Sequence, residues 1–387
     1  MIKILLITCH DPFNTGYGAG QRTNQLWSAL KRIGKLDVAY MIESDKDSMT
    51  RYEIDEVTFT NLETKPAKLS DYWWNALKSK KLKAALNTYF TTTEYDIIVS
   101  RYITPAIKLN LENSRKLLID FDDPIYKFPK PPYNDLRAFL KATIRLINQG
   151  VVAWKIRHSH LNSAHYLFIN SRDRDDFPFL DGGLLHNVPH FTSTPNIFSR
   201  QYNNEKIVIF IGLMTYHPNI EAVDYFLDKI WPDILKGCPN AIFRIVGKIA
   251  QNERERWLSH TNCTVDGYVK DLAEVYATAS IAVSPILSGG GSNIKIPEAC
   301  AYGCPVVATE YSYSGWSDIF RRDIDIAVGQ TASDFSKKCR QLLTNTELAK
   351  SMSENSSKIV KLDLSLLSFT NRLNNLIHNF LAKTSNT

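Results

Sequence analysis

Apolar, β-branched runs recur along the first half of the chain: Ile2–Thr8, Leu36–Glu43, Tyr95–Arg101, Lys116–Asp122 and His165–Ser171. Hydrophobicity within each is continuous rather than alternating. That predicts strands covered on both faces, the mark of a parallel sheet. Longer stretches with helical spacing, such as Gln21–Gly34, lie between them and predict crossover helices. A polar, proline-bearing stretch from His186 to Lys206 breaks this rhythm and reads as a connection. The rhythm restarts with Lys206–Gly212, Ala241–Gly247, Cys263–Val269, Ala279–Ile286, Pro305–Glu310 and Asp323–Gly329. The pattern predicts two doubly wound α/β domains in series. Near the end, Leu366, Leu373, Leu376, Ile377 and Phe380 fall at helical spacing and predict an amphipathic helix, a candidate for crossing back to the first domain. The expected division is 1–188, a linker at 189–205, a second domain at 206–365, and a helix with its tail at 366–387.

Composition sharpens this picture only at a few points. A chain of 387 residues suits two domains, and 44% hydrophobic with 22% charged residues is ordinary for a globular protein. The six cysteines form no CxxC pair, so neither a disulfide framework nor a zinc site is indicated, and the pattern suits a reducing cytoplasm. No apolar run reaches the roughly 18–20 residues of a membrane helix. The opening MIKILLITCHDPF lacks the charged leader and cleavage site of a signal peptide. A net charge of +6 is too weak to argue a nucleic-acid partner and suits an anionic ligand or membrane surface.

The most informative segment is SGGGSNIKIPEACAYG, Ser288–Gly303. It follows the predicted strand Ala279–Ile286, and ligands of a parallel sheet bind beyond the carboxyl ends of its strands. Gly289, Gly290 and Gly291 let backbone N–H groups approach a ligand closely. A helix start adds unpaired donors and partial positive charge. Lys295 supplies a point charge for phosphate, and Glu298 shares its helix face and can accept from vicinal hydroxyls such as those of a ribose. Pro297 disfavours helix at Ile296, which puts the expected helix start near Pro297 and Lys295 in the loop before it. The plain alternative is a flexible loop followed by a surface Lys–Glu pair.

Four segments, FIGLMTYHPNIEAVDYF, FRIVGK, GYVKDLAEVYATASIAVSPI and GGGSNIKIPEACAYGCPVVATE, make residues from about Lys206 to Gly329 resemble the nucleotide-binding domain of retaining GT-B glycosyltransferases of the family-4-like group. The resemblance implies two Rossmann-like domains facing a central cleft, with the first domain binding the acceptor and the second a nucleotide sugar. It implies that Lys295 binds the donor diphosphate and Glu298 the ribose. The family's first glutamate, eight positions before Glu298, is Gly290 here. Contact with the transferred sugar then falls to the amides of Gly289–Gly291 or to other side chains. The family's usual arginine after Gly212 is Leu213, and a second lysine in that loop is absent; Tyr216, His217 and Asn219 stand there instead.

In the first half, NTGYGAGQRTNQLWSAL places Gly16, Gly18 and Gly20 between a strand and a helix, but the spacing is not that of a dinucleotide loop, although Glu43 imitates its ribose acid. The resemblance implies that this loop faces the cleft. Arg22 is a candidate replacement for a missing phosphate cation, and a plain connecting loop is the alternative. In IDFDDP, Asp122 and Asp123, ahead of Asp120, are candidates to orient an acceptor hydroxyl or take its proton, or else to cap a turn. His10 is a weaker candidate beside a structural role. Aromatics beside lysines in Asp71–Phe90 and Phe139–His160 suit either an interfacial helix on the inner membrane or helices packed on the sheet.

The expected reaction is sugar transfer from a nucleotide diphosphate sugar to a hydroxyl of a saccharide or lipid-linked acceptor, with retention implied by the resemblance. Its setting by analogy is bacterial surface polysaccharide assembly. No cofactor and no essential metal are expected, because the sequence shows no metal-ligand cluster. The rival readings are a nucleotide-sugar epimerase or phosphorylase on the same fold, and a degenerate scaffold motivated by the missing glutamate and arginine.

Overall fold

The computed structural model describes residues 1–43, 48–64, 94–109, 111, 114–122, 154, 156–157, 161, 164–189, 205–289 and 291–385. Asp123, Gly290, residues 190–204 of the expected linker, the whole of the lysine-rich stretch 71–90, and most of 139–160 lie outside them. The chain divides into two compact units. One comprises Met1–Ile169, Asp173–His186 and Leu366–Thr387; the other comprises Asn170–Arg172 and Asn187–Ser365.

The first unit is built on an eight-stranded sheet. Its strands are β1 (Lys3–Thr8), β2 (Lys35–Glu43), β3 (Ser48–Ile54), β4 (Val57–Thr64), β5 (Ile97–Arg101), β6 (Leu117–Phe121), β7 (His165–Phe168) and β8 (Gly182–Leu184), in spatial order β3-β4-β2-β1-β5-β6-β7-β8. The pairing is parallel throughout except between β3 and β4. The central strands β1, β5, β6 and β7 are buried almost end to end, as their largely apolar runs predict, and Arg101 and Asp120 are the buried charges among them. The β3–β4 hairpin was not among the expected strands. It turns on Asp55 and Glu56, both at positive φ (50° and 65°), where a tight hairpin usually shows Asn-Gly. The turn therefore carries no recognisable residue signature.

The helix Gly18–Ile33 buries Leu26, Ala29 and Leu30. The helix Leu366–Ser385 also belongs to this unit and buries Phe369, Leu373, Ile377 and Phe380, one per turn along one face. It is fixed by several neighbours. Phe380 stacks on His165 at 5.6 Å, the Arg22 guanidinium lies 5.1 Å from the Phe369 ring centroid, and Lys383 pairs with Asp181 at 3.0 Å.

The second unit holds six parallel strands: β9 (Ile207–Ile211), β10 (Ile242–Val246), β11 (Cys263–Gly267), β12 (Ile281–Ser284), β13 (Val306–Thr309) and β14 (Ala327–Gly329). Their order, β11-β10-β9-β12-β13-β14, is the doubly wound 3-2-1-4-5-6 arrangement of dinucleotide-binding sheets. All six coincide with the expected apolar runs. Phe210, Phe226, Phe243 and Trp231 fill the core on one face, with the Phe226 and Phe243 rings 4.4 Å apart. The helix His217–Tyr225 passes through a π-helical turn, Phe226–Ile230, into Trp231–Gly237. Pro232 sits in the first turn beyond that widening, where its missing N–H breaks no regular helical bond.

Candidate functional site

From β9 the chain steps to β10 on one side and later to β12 on the other. A crevice opens at such a switch point, beyond the strand ends. Gly212 directly follows β9, and its N–H donates to the Val246 carbonyl at 3.0 Å. Asn219, buried in the following helix, donates from Nδ2 to the Leu213 carbonyl at 2.9 Å and so folds the loop over itself. Its Oδ1 accepts from Lys295 Nζ at 2.9 Å, and that ammonium lies 5.0 Å from the Phe210 ring centroid. Neither contact supplies a full negative charge. Burial therefore pushes Lys295 down to about 8, opposed only by the charge of Glu298.

Glu298 stands three residues on, on the same face of the helix Lys295–Ala301. Burial pushes its carboxyl up to about 7, against the hydrogen bond from the Tyr276 hydroxyl, which donates to Oε1 at 2.8 Å, and the charge of Lys295. Tyr276 is itself raised well above its ordinary value by burial and by Glu298, so it stays protonated and remains a donor. Its ring stacks on Tyr302 at 4.8 Å. Tyr276 was absent from the sequence reading, since nothing in the spacing of residues 276 and 298 announces the contact. The expected helix start is corrected: the helix includes Lys295, and Pro297 lies in its first turn, where a missing N–H costs nothing.

Gly289 has φ +111°, and a Cβ there would stand 2.7 Å from the Tyr216 hydroxyl. Only glycine fits both restrictions. Gly291 has φ +77° and faces open space. Thus Gly212, Tyr216, Asn219, Gly289, Gly291, Lys295 and Glu298 occupy the two loops beyond β9 and β12 and the helix that follows. This arrangement can neutralise an anion with one ammonium and accept hydrogen bonds on one carboxyl.

The first unit has a switch point of its own, between β1 and β5, and a different kind of cluster there. Asp120, fully buried, receives Arg22 Nη2 at 2.7 Å and Arg101 Nη1 at 2.9 Å. Arg101 Nη2 reaches Asp122 at 2.5 Å, and its guanidinium lies 4.0 Å from the Tyr102 ring centroid. Arg101 is held above its ordinary value by Asp122 and Asp120, which outweigh its burial. Arg22, expected as a phosphate cation, is corrected: it is buried, neutralised by Asp120, and also donates to the His186 carbonyl at 3.3 Å. Asp122 keeps a partly exposed carboxylate at the end of β6. His10 contacts the Tyr17 hydroxyl at 3.2 Å through Nδ1; burial and Arg101 lower its pKa, against Asp122, so it is neutral at pH 7. Gly16 donates its N–H to Asn14 Oδ1 at 3.2 Å in a turn, and Gly18 begins the following helix with open space around it. Gly20 is the tight one, packed against the Asn14 carbonyl. Among the described residues, no group of three or more His, Cys, Asp or Glu side chains is placed to hold a metal ion.

Residues 205–345, which carry the β9–β12 site, match the family model described as glycosyl transferases group 1. The fold is that of the GT-B glycosyltransferases. Sucrose-phosphate synthase from Thermosynechococcus elongatus superposes with a TM-score of 0.70 at 17% identity, covering 99% of this chain and all of that one. The Anabaena protein HepE, solved in complex with UDP and glucose, superposes with a TM-score of 0.61 at 13% identity, covering 98% of this chain and 100% of HepE. At such identities these likenesses concern the fold. A 44.6 kDa uncharacterised protein encoded in the cps region of Klebsiella pneumoniae is 22% identical over 350 residues, 81% of this chain and 84% of that protein.

Proposed function

We propose that this protein is a glycosyltransferase that moves a sugar from a nucleoside diphosphate sugar to a hydroxyl of a saccharide or lipid-linked acceptor, with retention of anomeric configuration, in assembling a bacterial surface polysaccharide. The observation that carries the reading is the Lys295–Asn219–Glu298–Tyr276 group at the β9–β12 crevice: a desolvated ammonium without a full counter-ion, beside a desolvated carboxyl. A diphosphate supplies the charge that Lys295 lacks, and vicinal ribose hydroxyls can donate to Glu298. The UDP bound by HepE and the cps-region relative favour the same donor class and setting.

As the glycosidic bond breaks, negative charge grows on the departing diphosphate. Lys295 and the amides of the loop after β12 are fixed in advance to meet it, which is the largest catalytic term available to such a site. The departing phosphate oxygen takes the acceptor proton on the same face of the sugar. Asp122 orients the acceptor hydroxyl, with Arg101 holding its carboxylate. The working place proposed is the cytoplasm, at the inner face of the membrane when the acceptor is lipid-linked.

The test is a screen of UDP-, GDP- and ADP-sugars with purified protein, read by nucleotide release and by the anomeric configuration of the product. One donor should be consumed and yield a product of unchanged configuration. Consumption of none, with no nucleoside diphosphate bound in calorimetry, would refute the donor reading. An inverted product would refute retention alone.

A further inference from the structure

The loop between β12 and the helix Lys295–Ala301 is held from one side by side chains of the next strand–helix segment. Thr309 donates its hydroxyl to the Ile286 carbonyl, the Tyr311 hydroxyl to the Gly289 carbonyl, and Trp316 Nε1 to the Asn293 carbonyl at 3.3 Å. The three donors meet the three carbonyls in the same order along both strands of chain. Arg172, which belongs to this unit, adds the Gly291 carbonyl at 3.1 Å and lies 4.7 Å from the Tyr311 ring centroid.

In a planar trans peptide the N–H points away from the carbonyl of the same group. Drawing the Gly291 and Asn293 carbonyls toward Arg172 and Trp316 therefore turns the Ser292 and Ile294 amides to the opposite side. On either side of Ser292 the backbone adopts positive φ, at Gly291 and Asn293 (77° and 50°), an alternation that gathers N–H groups into an anion-binding concavity. Asn293 pays steric strain to keep it. An unsupported glycine loop would not hold such a backbone, since glycine is permissive of nearly every alternative.

We propose that Tyr311 and Trp316 are positioning residues of the donor loop. They fix its carbonyls so that its amides are already aimed when the diphosphate arrives. Neither touches the donor; both act through the loop. The inference rests on the donor reading above for its catalytic consequence, but the clamp itself is independent of it.

The experiment uses Tyr311→Phe, which removes one hydroxyl and keeps the ring, and Trp316→Phe as the second variant. Amide hydrogen exchange is first compared with the parent, without ligand. The peptide spanning Leu287–Ile294 should exchange faster in Tyr311→Phe by about fivefold or more, the loss of one partly buried hydrogen bond, while β9 and β10 stay unchanged. Transfer should then fall about tenfold in kcat with donor KM changed less than about threefold, because a loosened loop forfeits stabilisation made chiefly in the transition state. Unchanged exchange in that peptide in both variants would overturn the clamp, whatever the kinetics. Altered exchange with parental kcat would overturn the positioning role. A parent that binds no nucleoside diphosphate removes the donor reading instead, and the exchange result still decides the clamp. Should Trp316→Phe fail to fold, Tyr311→Phe carries the test alone, since its ring is retained.

Discussion

The two units place charged side chains at equivalent points of their sheets, beyond a switch in strand order, and treat them in opposite ways. In the first unit Arg22 and Arg101 meet Asp120 and Asp122, so the buried group is neutral and every charge has its partner. In the second, Lys295 has an amide oxygen and an aromatic ring, and Glu298 has a phenol. Desolvation there goes largely uncompensated, and both groups move toward their neutral forms. Saturated charge at a strand end fixes structure. Starved charge leaves a place for an ionic ligand, and a site that binds must forgo some stability to keep that place open.

This contrast breaks most easily at Asp120. Asp120→Ala takes the carboxylate from buried Arg22 and leaves Arg101 with Asp122, and should destabilise the first unit by about 3–5 kcal/mol, as measured by urea unfolding. A loss below about 1 kcal/mol would mean the cluster is solvated and the comparison is false. Next comes Lys295→Ala, which should slow transfer by about 100-fold or more. Its melting temperature should not drop. The sign follows from the lowered pKa: the folded state carries this charge at a cost below about pH 8, and the cost fades as pH climbs from there toward the unfolded value near 10.4. Lys295→Met should accordingly be at least as stable as the parent at pH 7, and a clear fall in stability would show that the ammonium has a buried counter-ion after all.

The pH profile of donor binding sharpens the same point. Lys295 loses its proton above about 8, so the dissociation constant of the nucleoside diphosphate should rise as pH climbs beyond that value. The rise should approach about tenfold per pH unit and should be absent in Lys295→Ala. Calorimetry at pH 7, 8, 9 and 9.5 reads it directly, and parallel profiles in parent and variant would assign the titration to another group. The smallest effect is expected for Tyr276→Phe. It removes a donor that opposes the upward shift of Glu298, so that carboxyl should rise further above 7, and nucleotide binding should weaken about threefold. An unchanged dissociation constant would detach Tyr276 from the site.

What could be read from the residues alone follows the same division. The inner strands β9, β12 and β13 announce themselves as apolar runs because they are covered on both faces, whereas the edge strand β11 alternates buried and exposed residues. Lys295 and Glu298 are legible because their chemistry sits three residues apart on one turn of helix. Arg22 misled for the opposite reason. Its partner Asp120 is 98 positions away, and an arginine at the start of a helix looks the same in sequence whether it faces solvent or a buried carboxylate. The β3–β4 hairpin was missed because Asp55 and Glu56 adopt a turn conformation that their residue types do not advertise. Tyr276, Tyr311 and Trp316 read as ordinary core aromatics, and only the fold shows which carbonyl or carboxylate their polar atoms meet.

The helix Leu366–Ser385 belongs to the first unit although the whole second unit precedes it in the chain. On a ribosome, therefore, the helix Gly18–Ile33 and the β7–β8 edge, against which this helix packs, have emerged long before Phe369, Leu373, Ile377 and Phe380 are made. That contact surface has no partner until synthesis of the other unit is done. A pause or truncation within the last stretch would strand the earliest part of the molecule, not the latest.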